Sequence, residues 1–215
     1  ASASAWLLVG GIAGGLLGYV FQVLMGRMLS TEEYGLFNAM MALFVVLGAP
    51  LGTLMMVISR KISEYRTRQD SGSITHLYYS ISIRTAIVVA FILGVYLFFA
   101  PQIQFYLKAP NIIPVYLLGV LLFLTFLPFI NNAFLQGLQR FIWLSATGSF
   151  TVLLKIIFSA VLVWLGYGVA GAIGGVALAV IAGWLITYGA LYRALAEGRG
   201  LKFQTAHLSI KPALP

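Results

Sequence analysis

Cysteine is absent from the 215 residues and acids are scarce, with Asp70 the single Asp beside Glu32, Glu33, Glu64 and Glu197. Without thiols, disulfides and cysteine-ligated metals are excluded. A lone Asp in a polar connection builds neither a paired-carboxylate acid–base mechanism nor an acidic metal cluster. His76 and His207 fall in polar segments and read as solvated surface residues. The serines have no His and Asp arranged near them for nucleophilic catalysis. The chain therefore reads as a non-enzyme with no cofactor and no metal.

Charge of either sign is also sparse. Only 8% of the residues are charged and 61% are hydrophobic, where a soluble domain carries about a quarter charged. Mean hydropathy is +0.99. These values exclude an ordinary soluble fold and point to an integral membrane protein. About 20 apolar residues carry a helix across the hydrocarbon core, and such stretches occur at 6–27, 34–58, 81–100, 112–135, 142–165 and 169–191. Runs such as TAIVVAFILGVYLFFA are apolar all round, unlike the alternating strands of a membrane barrel. The predicted fold is all-α, with six transmembrane helices in a lobe over 1–193 and a cytoplasmic tail or linker over 194–215. The start, ASASAWLLVGG, lacks an initiator Met and a basic leader, so it does not read as a secretory signal. A segment of a longer polypeptide is expected.

The basic residues orient this map. Arg60, Lys61, Arg66, Arg68 and Arg84 flank the second connection, Arg140 the fourth, and Arg193, Arg199, Lys202 and Lys211 follow the last span. The other face holds Arg27 and Lys108. By the positive-inside rule both termini are expected in the cytoplasm. The net charge of +8 thus serves topology and anionic headgroups and implies no nucleic acid. The segment RKISEYRTRQDSGSITHLYYS reads as a helical extension of span 2, a Gly-Ser turn and an amphipathic lead-in to span 3, with Glu64 and Arg68 spaced as a helical pair.

Ser30, Thr31, Glu32 and Glu33 spell a capping box that starts span 2, with two carboxylates at the positive end of its dipole. A gating role is the alternative for Ser30, Glu32 and Glu33, with Arg27 as partner. Pro50 in GAPLG is expected to bend span 2, and Pro128 marks a second hinge in span 4.

Inside the spans, polar residues are the informative ones. Lys155 lies mid-way along span 5, where a Lys costs about 2.5–3.5 kcal/mol on insertion scales. With Thr147, Thr151 and Ser159 it forms a stripe at steps of four, expected to face something wet or polar. Span 1 places Gly11, Gly15, Gly18, Gln22 and Gly26 on one face, a pattern that lets helices approach closely. Span 2 carries Asn38. Span 4 aligns Thr125, Pro128, Asn132, Gln136 and Gln139, with Asn131 adjacent. No Asp or Glu lies inside any span, which counts against proton-coupled antiport by this segment.

The stretch GRMLSTEEYGLFNAMMALFVVLGAPLGTLMMVISRKISEY resembles the first hairpin of polysaccharide-biosynthesis membrane proteins. These are lipid-linked oligosaccharide flippases of the multidrug/oligosaccharidyl-lipid/polysaccharide superfamily. FLQGLQRFIW and LGYGVAGAIGGVAL are similar to spans 4 to 6 of the same family. The resemblance implies one lobe of a transporter of twelve or more helices, paired with a missing C-terminal lobe or with a second copy. It implies an isoprenoid pyrophosphate-linked glycan as cargo, moved to the outer leaflet of the cytoplasmic (inner) membrane for lipopolysaccharide or other cell-envelope polysaccharide assembly. Lys155, with Arg27 or Arg84, would then attract the pyrophosphate. Asn38, Asn131, Asn132, Gln22 and Gln136 would hydrogen-bond sugars. A cation-coupled multidrug exporter of the same superfamily is the alternative.

Overall fold

The computed structural model describes residues 2–67 and 71–208, with side chains over 11–64 and 78–193 apart from those at 50, 51 and 53. Six long α-helices account for almost all of it: α1 Ser2–Met28, α2 Thr31–Thr67, α3 Ser71–Tyr106, α4 Ile113–Gly137, α5 Phe141–Leu162 and α6 Gly168–Leu208. A π-helical turn, Val163–Tyr167, joins the last two. Among the described residues, Thr31–Ala49, Tyr78–Tyr106, Ile113–Gly137 and Phe141–Arg193 are long and apolar enough to cross a membrane. The last stretch contains α5 and the first part of α6, folded back on each other at the π-turn. The protein is a multi-pass, all-helical membrane protein.

Local chemistry explains the helix ends. The α1–α2 turn is closed by the capping box: the Ser30 amide donates to Glu33 Oε2 at 3.0 Å and the Glu33 amide donates to Ser30 Oγ at 3.3 Å. Two orphan donors are satisfied reciprocally, as expected from the S-x-x-E pattern. α3 and α4 end alike, in reversals that place a non-glycine residue at positive φ. The Ala109 amide donates to Gln104 O around Lys108 (φ 50°), and the Arg140 amide donates to Leu135 O around Gln139 (φ 56°). At the α5–α6 turn, Gly168 has φ 51° and ψ −134°, a conformation that requires glycine.

Two expectations change, for the Gly72–Ser73 turn and for the glycine face of α1. α3 begins at Ser71, so Gly72 and Ser73 are helical and do not form a turn. Glu64 pairs with Arg60 at 3.6 Å on the exposed face of α2, while Arg68 lies outside the described residues. Gly11, Gly14, Gly15 and Gly18 meet no other helix: a Cβ at any of them would find nothing within 4 Å. α2 is helical throughout the Gly48 to Gly52 stretch, and the side chain of Pro50 lies outside the described residues. Pro128 sits within α4, half-buried.

α6 packs between α4 and α5; α1 lies on α5, and α2 and α3 lie on α4. α1 and α2 share a short turn yet touch little. Two apolar cores result. One gathers Phe21, Met25, Phe37, Met40, Leu118 and Ile173 toward the end formed by the first, third and fifth connections. The other joins Ile58, Ile62, Phe126, Phe134 and Leu191 toward the opposite end.

Candidate functional site

The α5–α6 seam decides where Lys155 points. Added Cβ atoms at Gly175 and Gly183 would collide with Ser159 and Thr151 respectively, so the two helices run in backbone contact there. Those pairs fix an antiparallel register in which position 155 falls opposite Ala179, itself 1% exposed. A long side chain cannot enter so tight a seam. Lys155 instead leaves it sideways toward α1, where its Nζ stands 4.1 Å from the centroid of the Phe21 ring. Phe21 is buried and rests edge-to-face on Phe37 of α2, with centroids 5.9 Å apart. One cation, one ring and a supporting ring thus tie α5 to α1 and α2.

The hydroxyl stripe around Lys155 is committed to the backbone. Thr147 donates to Trp143 O at 2.7 Å, Thr151 donates to Thr147 O at 2.8 Å, and Ser159 donates across the seam to Ala172 O at 3.0 Å. Thr147 and Ser159 are buried. The stripe serves helix packing, and of its four members only Lys155 reaches out of it. Lys155 is half-buried and, among the described residues, makes no hydrogen bond and no ion pair. The contact with Phe21 is worth roughly 2 kcal/mol when desolvated, comparable with the roughly 2.5–3.5 kcal/mol insertion cost of a mid-span Lys. Among the described residues, the ammonium is accommodated in the bundle without a carboxylate.

The other expected residues do not converge on this point. Gln22 follows Phe21 on α1 and is exposed, as are Arg27 at the end of α1 and Arg84 on α3. Asn38 is half-buried and donates to Tyr34 O of its own helix at 2.9 Å. On α4, Asn131 is fully buried: its Oδ1 accepts from the Tyr78 hydroxyl at 2.9 Å and its amide donates to Thr187 Oγ1 at 3.4 Å. That network joins α3, α4 and α6. Asn132 has a buried Oδ1 without a hydrogen-bond partner, and Gln136 is half-buried. Phe21, Tyr78 and Thr187 were not expected from sequence, because nothing local marks an aromatic or Thr in an apolar run as the partner of a residue more than fifty positions away.

Ser30, Glu32 and Glu33 gather elsewhere. A cavity of about 700 Å³ opens between the α2 start, the α3–α4 connection and the π-turn, lined by Glu32, Glu33, Lys108, Asn111 and Tyr167 among others. Glu32 is exposed. Glu33, besides capping α2, sets its Oε1 against Gly168 at the first residue of α6, leaving no room there for a side chain. One carboxylate therefore stands at the positive ends of two helices.

The matches to known proteins agree with this architecture. The family model described as polysaccharide biosynthesis protein matches residues 2–212. A crystal structure of MATE in the bent conformation superposes with a TM-score of 0.81 at 13% identity, over 89% of this chain and 44% of that one. MATE in the straight conformation gives 0.80 at 12% identity, over 89% and 45%. The outward-facing conformation of a multidrug resistance MATE family transporter of the MOP superfamily gives 0.78 at 13% identity, over 89% and 44%. No curated protein matches. The chain spans less than half the length of the solved structures it resembles.

Proposed function

Because the chain belongs to the polysaccharide biosynthesis protein family, we propose that it is one lobe of a flippase for isoprenoid pyrophosphate-linked oligosaccharide, carrying that lipid from the cytoplasmic to the outer leaflet. A second lobe, on the parent polypeptide or from a second copy, would close the pathway, and rocking of one lobe against the other would alternate access. The observation that carries the reading is Lys155: a mid-span ammonium, half-buried, with no acid paired to it among the described residues. Such a cation is matched to an anion that arrives and leaves. A pyrophosphate on a lipid supplies that charge while its tail stays in the bilayer. Gln22, beside Phe21, and Arg27 and Arg84 offer exposed polar groups to headgroup and sugar. The positive-inside count supports cytoplasmic termini in an inner membrane.

A cation-coupled multidrug exporter is the second reading, favoured by the likeness to MATE structures. Glu32 and Glu33 stand in the first turn of α2, and no Asp or Glu lies deeper in the spans of this segment to bind a coupling cation, which supports the flippase. Lys155→Ala in the full-length protein should lower surface polysaccharide by about tenfold or more at unchanged membrane abundance. Export at the wild-type level would remove Lys155 from the mechanism. Export that follows an imposed ion gradient without need of Lys155 would favour the exporter.

A further inference from the structure

We propose that Phe21 is the positioning residue for the Lys155 ammonium, holding it at the edge of the α1–α5 seam so that a lipid pyrophosphate meets it already in place. The inference rests on the flippase reading of Lys155 and adds a residue to it. A Lys side chain has four rotatable stem bonds, and in a bilayer an unanchored ammonium snorkels toward the headgroups. At position 155 two alternative anchors are unused. Thr151 and Ser159 turn their hydroxyls to backbone carbonyls and form no hydrogen bond with Nζ, and no carboxylate lies in reach among the described residues. What remains is the Phe21 face, 4.1 Å from Nζ. That ring is itself immobilised: it is 4% exposed and braced edge-to-face by Phe37 at 64°. The attraction is to the ring's negative face and occupies one side of the ammonium, leaving its N–H donors for an incoming phosphate oxygen. Because the anchor is a neutral ring and not a carboxylate, no acid has to be displaced before a phosphate oxygen reaches the ammonium. A salt-bridged Lys in the same place would have to break its pair first.

The test uses the full-length protein in nanodiscs of zwitterionic lipid, with binding of a polyprenyl pyrophosphate measured against the uncharged polyprenol. Phe21→Leu, which keeps the apolar volume and loses the π face, should weaken pyrophosphate binding about tenfold. Phe21→Trp should retain affinity within about threefold. In a Lys155→Gln background, Phe21→Leu should have no further effect, and polyprenol binding should be unmoved throughout. Should Phe21→Leu fail to accumulate, fluorinated phenylalanines at position 21 keep the shape and drain the ring face, and affinity should fall stepwise with fluorine count. An equal loss from Phe21→Leu with and without Lys155, or indifference to fluorination, overturns the positioning role while leaving Lys155 as the anion site. Pyrophosphate binding unaffected by Lys155→Gln overturns the flippase reading of Lys155, and the role of Phe21 falls with it.

Discussion

At the scale of single residues, this bundle separates two uses of polar groups. Asn131 is spent on structure: with Tyr78 and Thr187 it forms a buried link among three helices. Side-chain hydrogen bonds in membranes average about 0.6 kcal/mol, but truncating one partner strands the others, at roughly 1–3 kcal/mol for a buried group. Asn131→Ala should therefore lower unfolding stability of the detergent-purified full-length protein by about 1–3 kcal/mol. The double change Asn131→Leu with Tyr78→Phe, which removes the pair together, should cost less than the sum of the single changes. Strict additivity would show that the two do not act as a unit. Lys155 is the opposite case, a polar group left uncommitted except for a ring. Its depth in the span was legible from the sequence, because a Lys amid apolar residues stands out. Its direction was not, since that follows from the α5–α6 register.

At the scale of helices, that register is set by glycines. An added methyl at Gly175 would fall on the backbone of Ser159 and 2.6 Å from its Oγ, while one at Gly174 would meet only Leu162 Cδ1 at 3.7 Å. Gly175→Ala should destabilise by about 1–3 kcal/mol through overpacking, and Gly174→Ala should be near neutral or slightly favourable in the helix. Thermal unfolding of both variants checks the contrast, and equal behaviour would mean that the seam is not in backbone contact. The spans were readable because length and apolarity suffice to predict a membrane helix, and the α2 start because a capping box is local. The Gly72–Ser73 turn was misplaced because glycine weighs against helix by only about 1 kcal/mol, which the surrounding helical context overrides. The glycine face of α1 was legible as a pattern, yet among the described residues a Cβ at Gly11, Gly14, Gly15 or Gly18 would meet nothing. The small face of α6 is where close packing is realised.

At the scale of the whole molecule, the chain forms one helical lobe of a fold whose solved examples are about twice as long. Family and fold follow from the matches. Cargo, direction and energy coupling are properties of the complete transporter, and the claim on which they turn is that the Lys155 position is reached by water when the two lobes are together. The absence of cysteine from this lobe makes that claim directly measurable. In a full-length protein stripped of any other cysteine, Lys155→Cys should react with a charged, membrane-impermeant thiol reagent. Ile157→Cys, on an exposed apolar position of the same helix, should react only with a lipid-soluble reagent. If Lys155→Cys is inert to the charged reagent in either orientation of membrane vesicles, position 155 faces lipid or a dry seam, and the account of this lobe as an anion-reading half of a flippase is wrong.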